Sequence, residues 1–335
     1  MTGGQKKLKK IMNEPGNVLE EMLQGFTAVN QMFIKRIPET SVIVSRKIAD
    51  QVGLVSGGGS GHEPAHAGFV GDGMLQAAVC GQIFTSPTPD QILEGIKAVD
   101  SGQGVLLIVK NYAGDIMNFE MAKEIAEMEE IAVEMVVVDD DIAVEDSTYT
   151  QGKRGVAGTI LVHKILGAAA REGKSLSELV VLAEELIPAI HTIGVALSGA
   201  TVPEVGKPGF LLEEDELEFG VGIHGEPGYS KQKMLTSKEI VEEMLTRMEA
   251  VAPLIKEKKY AVLVNGLGST PLMEQYVFFN DVATQLGAKE VEIVFSKVGD
   301  LMTAIDMVGV SLTLLEIKSA DWLDYLNQPV TTVAW

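Results

Sequence analysis

The residues able to do chemistry gather in three short runs: GGGSGHEPAHAGFVGDG at 57–73, KNYAGD at 110–115 and GVGIHGEPG at 220–228. In the first, Gly57, Gly58, Gly59 and Gly61 leave backbone amides open to a small ligand where a β-carbon would block approach. His62 follows at once and supplies a titratable imidazole. The second run carries a cation, Lys110, and a carboxylate, Asp115. The third sets His224 between glycines. Lys110 and Asp115 close one apolar strand and open a helix, where ligands of α/β sheets usually bind and chemistry is usually placed. Each run alone also has a plainer reading: a tight turn, a helix N-cap at Asp115, and a strand-to-turn transition at His224.

Several familiar sites are excluded. The ending Gly173-Lys174-Ser175 suits a phosphate-cradling P-loop, but Ala168 stands where its leading glycine belongs. A dinucleotide fingerprint begun at Gly59 puts Pro64 in place of its third glycine, and one begun at Gly57 puts His62 there. His62-Glu63-Pro64-Ala65-His66 has zinc-helix spacing, yet Pro64 is incompatible with a helix interior and no third ligand lies nearby. Ser60 is flanked by Gly58 and His62, not by the glycine pair of a nucleophile elbow. No metal ligands are assigned.

These runs need strands and helices to position them. Of 335 residues, 46% are apolar and 22% charged, enough for a substantial core in one large or two medium domains. The pattern predicts strands at 41–44, 52–55, 104–112, 131–140, 191–197, 217–225, 259–267, 291–298 and 311–317. Helices are predicted at 16–29, 89–99, 115–130, 158–171, 175–187, 236–250, 271–286 and 300–308. Such alternation predicts an α/β fold with two α/β domains, mainly parallel or mixed sheets flanked by helices. The first domain, 11–188, carries the glycine-rich loop, Lys110 and Asp115. The second, 189–335, carries His224, and its C-terminal tail is expected to pack back on the first. Residues 1–10, with the basic run KKLKK, read as a flexible end. A net charge of −20 argues against nucleic acid and anionic membrane surfaces. A single cysteine, Cys80, with no secretory signal and no long apolar run, predicts a cytoplasmic protein.

Together GGGSGHEPAHAGFVG, IFTSPTP, KNYAGDIMNF and EFGVGIHGEPG, in that order, resemble the dihydroxyacetone-binding subunit of dihydroxyacetone kinase. The resemblance is to the form driven by the phosphoenolpyruvate phosphotransferase system, and it runs from about residue 10 to the C-terminus. It implies that His224 bonds covalently to the central carbonyl of dihydroxyacetone as a hemiaminal. His62 then serves beside it as acid/base, and Asp115 takes the proton of the terminal hydroxyl that is phosphorylated. The Gly59-Ser60-Gly61 backbone, His62, Lys110 and Asp115 hold the substrate. The resemblance also implies no cofactor on this chain: ADP/ATP and Mg2+ belong to a separate nucleotide-binding kinase subunit. A third, phosphotransferase-linked subunit recharges that carrier, and the chain is expected to form a homodimer.

Relatives of this subunit also act as non-enzymatic coactivators that sense dihydroxyacetone for a transcription regulator. That alternative needs His224 but has less need of Asp115. His66 is expected to support His62, His163 and His191 to be structural, and Cys80 to sit in the core.

Overall fold

The structure, a computed structural model, describes residues 9–143 and 152–335. The first half contains α1 (Val18–Val29), β1 (Ile34–Arg36), β2 (Val42–Ser45), β3 (Gly53–Ser60), β4 (Ala77–Ile83), α2 (Pro89–Val99), β5 (Val105–Lys110), α3 (Ala113–Met128), β6 (Val133–Val138), α4 (Thr159–Arg171) and α5 (Leu176–Leu186). The second contains β7 (Ile190–Ala196), β8 (Glu216–Phe219), β9 (Ser230–Lys233), α6 (Ser237–Val251), β10 (Lys259–Gly266), α7 (Leu272–Ala288), β11 (Glu292–Gly299), β12 (Gly309–Glu316) and α8 (Ala320–Asn327).

The fold is α/β. Strands of the first half form one six-stranded sheet in the order β1-β2-β4-β3-β5-β6, and those of the second form another, β11-β10-β12-β7-β8-β9. In the first sheet β4, β3, β5 and β6 run parallel, with β2 and β1 added antiparallel. The second is antiparallel except for β10 with β11.

Side-chain alternation builds the layers. On β5, Val105, Leu107 and Val109 pack with α2 and α3, while Leu106 and Ile108 face the molecular interior. On β10, Val262 and Val264 pack with α6 and α7, while Ala261 and Leu263 join that same interior. Helix α4 fills the space between the two sheets. Every residue from Thr159 to Ala170 is buried, so its sequence is apolar nearly all round, as a central helix requires. Each fully buried Ile or Leu there contributes roughly 1.5–3 kcal/mol. Helix α8 lies against α4, where Lys164 donates to the Tyr325 carbonyl. The C-terminal tail returns to the first half: Thr331 N–H donates to Asp72 O at 3.0 Å and Ala334 N–H to Gly68 O at 2.9 Å.

Four elements were not anticipated. β1 has three residues, and β9, SKQK, is a polar edge strand with no apolar run to announce it. β4, AAVCGQI, is rich in small residues, and α8 spans only eight. One expected element is absent: residues 300–308 form an irregular loop in place of a helix. Asn265, buried at the end of β10, holds that loop open. Its side-chain oxygen accepts from Leu301 N–H and Met302 N–H, and its amide donates to Met302 O and Ser311 Oγ. The expected strand at 52–55 continues through Ser60, and that at 217–225 stops at Phe219. The expected flexible end lies mostly outside the described residues, but Lys10 is anchored by an ion pair with Asp306. No helix among the described residues is long and apolar enough to cross a membrane.

Candidate active site

Parallel β3 and β5 bring their carboxyl ends side by side, the usual location for ligands in such sheets. His62 lies just beyond β3, Lys110 closes β5, and Asp115 sits in the first turn of α3. Asp115 is the third helical residue and not the N-cap, a position held by Tyr112. There the helix dipole favours a carboxylate. Lys110 Nζ and Asp115 Oδ2 form an ion pair at 3.3 Å, both side chains withdrawn from solvent. Gly58 makes room for it: a β-carbon at that residue would stand 2.5 Å from Lys110 Nζ.

The glycine run is therefore partly strand. Gly57, Gly58 and Gly59 pair with β4, and the Ser60 hydroxyl donates to Gly81 O at 2.7 Å. Gly61 N–H is engaged by the exposed Glu63 carboxylate at 3.0 Å.

His224 arrives from the other half of the chain, on the loop after β8. Its Nε2 lies 3.0 Å from His62 Nε2, joining residues 162 positions apart. Three aromatic contacts fix the pair. Phe84 stacks on His62 at 5.0 Å, and Phe84 and Tyr112 meet the His224 ring edge-on at 5.1 Å and 4.6 Å. The far side of each imidazole is also engaged. His62 Nδ1 donates to the Thr303 carbonyl at 2.7 Å, and His224 Nδ1 faces Glu226 Oε1 at 3.2 Å. Glu226 Oε2 accepts the His224 backbone N–H at 2.9 Å. His62 is wholly buried, whereas the His224 side chain keeps 16% exposure and is the ring a solute can reach.

Electrostatics separates the groups. Burial, reinforced by the charges of His224 and Lys110, holds His62 well below the usual histidine range. Burial alone would raise Glu226, but the hydrogen bond and charge of His224, with Arg154 behind, bring it down to about 2. Arg154 is itself fully buried, donating to Asp141 Oδ2 and to Gly220 O at 2.7 Å. It thereby fixes the strand end from which the His224 loop departs.

Four contributors escaped the sequence reading: Glu226, Arg154, Phe84 and the loop at 301–305. Glu226 lies inside the quoted EFGVGIHGEPG run, and its i+2 placement after His224 was the available signal. The loop carries no motif, yet Thr303 N–H donates to His62 O and Ile305 N–H to Gly61 O, clasping the glycine run onto the second sheet. Ile305 has φ of 56°, a conformation a β-branched residue adopts only under constraint. No hydrogen bond joins the His66 and His62 rings. His66 Nδ1 meets His163 Nε2 at 3.0 Å, and both rings are buried. No three His, Cys, Asp or Glu side chains among the described residues are arranged to hold a metal ion.

The arrangement offers a reachable imidazole with a carboxylate behind it, a second imidazole beside it, and a buried carboxylate–ammonium pair on the far side of Tyr112, whose ring lies 4.6 Å from the His224 ring and 5.7 Å from Lys110 Nζ. Such a set can add to a carbonyl, manage the oxygen's proton, and activate a hydroxyl.

Comparison with known proteins identifies the family. The chain is 58% identical over 328 residues to the dihydroxyacetone-binding subunit of the PTS-dependent dihydroxyacetone kinase of Lactococcus lactis, covering 98% of this chain and 99% of that one. It is 46% identical to the DhaKLM operon coactivator DhaQ of the same organism, covering 97% of this chain and all of that one. The crystal structure of the C. freundii dihydroxyacetone kinase with AMP-PNP and Mg2+ superposes with a TM-score of 0.91 at 35% identity, covering 98% of this chain and 61% of that one. The Dak1 domain model matches residues 24–334, and with these relatives it shows that the chain belongs to the Dak1 domain family.

Proposed function

We propose that this chain is the dihydroxyacetone-binding subunit of a phosphoenolpyruvate-dependent dihydroxyacetone kinase, and that it holds its substrate covalently. The observation that carries the reading is the Nε2–Nε2 contact of His62 and His224, with the Lys110–Asp115 pair nearby across Tyr112, whose ring lies 4.6 Å from the His224 ring and 5.7 Å from Lys110 Nζ. His224 Nε2 adds to the central carbonyl carbon, the carbon–oxygen π pair moves to oxygen, and a proton relayed from solvent by His62 Nε2 gives the hemiaminal hydroxyl. Glu226 accepts the His224 Nδ1–H and stabilises the positive ring that results.

Capture orients the triose so that Asp115 can take the proton of a terminal hydroxyl as that oxygen receives the phosphoryl group. Lys110 holds Asp115 in place through their ion pair, and the Gly59-Ser60-Gly61 segment lines the site. Glycerol has no carbonyl and is rejected on chemistry, not size. The phosphoryl donor is a nucleotide with Mg2+ on a separate kinase subunit docking at the site mouth, recharged through a phosphotransferase-linked subunit. This chain is read as a cytoplasmic homodimer.

The coactivator relative motivates a second reading, a sensor that captures dihydroxyacetone without phosphorylating it. Against it stands the buried Lys110–Asp115 pair, which capture does not require. Incubation with dihydroxyacetone should give a labile mass adduct on the intact protein, lost in His224→Ala. Addition of the nucleotide-carrying subunit and a phosphate source should then yield dihydroxyacetone phosphate. An adduct with no product would leave only the sensor; no adduct would remove both readings.

A further inference from the structure

Three glycines in a row leave both faces of β3 without side chains, and the two faces are filled differently. At Gly58 the β-carbon position belongs to the site already described: an atom there would stand 2.5 Å from Lys110 Nζ. On the side of α1 the strand borders a cavity of about 370 Å³. Met22 and Phe26 of α1, Val79 and Cys80 of β4, and Pro64 and His66 of the turn after β3 enclose it, with Gly58 and Gly59 as its floor. His62, Lys110, Asp115 and His224 are not among its walls, so it is separate from the triose pocket. We propose that this cavity is a second small-molecule site, for a neutral alcohol or phenol, and that filling it from behind β3 weakens triose capture in front.

Volume and lining set the ligand class. An apolar cavity of about 150 Å³ already takes benzene, so this one has room for a substituted ring. Its walls are mainly apolar, and Cys80 adds no charge because burial pushes its thiol up to about 12. Ser60 also lines the cavity, but its hydroxyl is committed to Gly81 O at 2.7 Å. His66 is different. It is only 4% exposed, and its Nδ1 edge is turned to His163 Nε2 at 3.0 Å and Ser56 Oγ at 3.3 Å, residues that do not line the cavity. The opposite atom, Nε2, is buried with no hydrogen-bond partner, so the edge that meets the cavity is the unpaired one. Burial holds this ring well below the usual histidine range, so it is neutral, and Nε2 donates in one tautomer and accepts in the other. A hydroxyl can do both and matches either. Glu63 at the rim, its carboxylate 3.0 Å from Gly61 N–H, opposes an anion.

Occupation reaches the triose site through backbone. The floor has no room to yield: β-carbons at Gly58 and Gly59 would each stand 2.5 Å from an atom of the far side, Lys110 Nζ and Thr85 N. A ligand pressing on the floor therefore crowds Lys110 and the segment at 84–85, whose Phe84 ring stacks on His62 at 5.0 Å. The same strand runs on through Ser60 into Gly61 and His62. Close-packed interiors transmit such a displacement instead of absorbing it. Alcohol and triose thus place opposing demands on one strand, and each weakens the other by the same factor.

The coupling rests on the function proposed above, while the site does not. The test uses the full protein and 4-fluorophenol followed by 19F NMR, with fluorobenzene and 4-fluorobenzoate as companions. 4-Fluorophenol should bind saturably at one site, fluorobenzene about two- to tenfold more weakly for want of the hydroxyl, and 4-fluorobenzoate not detectably. Met22→Trp fills the cavity from α1 and should remove the binding; Phe26→Trp repeats the test from the same helix should the first variant not fold. Saturating dihydroxyacetone should weaken 4-fluorophenol by a limited factor, about fivefold, and 4-fluorophenol should raise the dihydroxyacetone concentration for half-maximal adduct by the same factor. No saturable binding, binding untouched by the tryptophan variants, or complete displacement by dihydroxyacetone would overturn the site. Equal affinity for fluorobenzene would remove His66 from it. Adduct formation unchanged with 4-fluorophenol bound would overturn the coupling and leave the function standing. No adduct under any condition would end the function and the coupling together, and leave the site.

Discussion

Glu226 binds one residue twice, through its ring and its backbone amide, and that fixes both the orientation and the tautomer of His224. Glu226→Gln retains the size but loses the charge that balances the substituted ring. Loss of a charged hydrogen-bond partner costs about 1.5–3 kcal/mol, so dihydroxyacetone capture should weaken about ten- to a hundredfold. Titration of adduct formation by intact mass checks this, and unchanged capture would remove Glu226 from the account. Asp115→Asn should behave oppositely, leaving capture near the wild-type level and lowering phosphoryl transfer by about 10²–10⁴-fold. Loss of capture in that variant would mean that Asp115 builds the pocket instead of activating the hydroxyl. The pieces of this site were legible as residues, because His62, Lys110, Asp115 and His224 each sit at a glycine-rich turn or at the end of an apolar strand. Their pairing was not. Nothing local encodes a contact across 162 positions, and only the ordered set of motifs suggested a common pocket.

Among the elements, local signals performed where local physics decides. Ser175 and Thr236 open α5 and α6 with capping boxes closed by Glu178 and Glu239, and the expected helices begin at those places. The loop at 301–305 shows the opposite case. Its apolar residues suggested a helix, but Leu301, Met302 and Ala304 are buried between the sheets, and Asn265 takes up the amides a helix would have used. Asn265→Ala would leave those two buried N–H groups and the Met302 carbonyl without partners. A stability loss of a few kcal/mol is expected in denaturant unfolding. Because Thr303 presents its carbonyl to His62 from this loop, capture should weaken as well. A variant that loses stability but captures dihydroxyacetone normally would show that the clamp is structural only. The edge strand β9 and the short β1 were missed for a different reason: a polar or three-residue strand acquires its identity from its neighbour.

At the scale of the whole molecule, the central layer of α4 between two sheets buries titratable groups as well as apolar ones. His163 lies within that helix, and burial lowers it from the ordinary 6.5 to about 3. His66 beside it is lowered well below the usual range by the same cause. The unfolded chain therefore binds protons on these rings before the folded one does. Stability is full above pH 6.5 and falls as pH drops from there toward 3, by up to about 1.4 kcal/mol per pH unit for each such ring. Glu226 adds a further loss below about pH 4.5, where the unfolded carboxyl protonates while the folded one resists down to about 2. Denaturant midpoints measured between pH 8 and pH 4 should trace the histidine slope, and His163→Gln should flatten it. A midpoint independent of pH over that range would contradict the buried neutral pair. The fold class was legible from the alternation of apolar strands and amphipathic stretches, whereas the sandwiching of α4 required both sheets at once.

The central claim is that a keto triose is held by a bond to His224 with its free end presented to Asp115. A crystal structure of the protein with dihydroxyacetone tests it most directly. The account predicts continuous density from His224 Nε2 to the central carbon, and a terminal hydroxyl within hydrogen-bond distance of the Asp115 carboxylate. An unattached triose beside an unchanged His62–His224 contact, or a triose bound elsewhere, would contradict it.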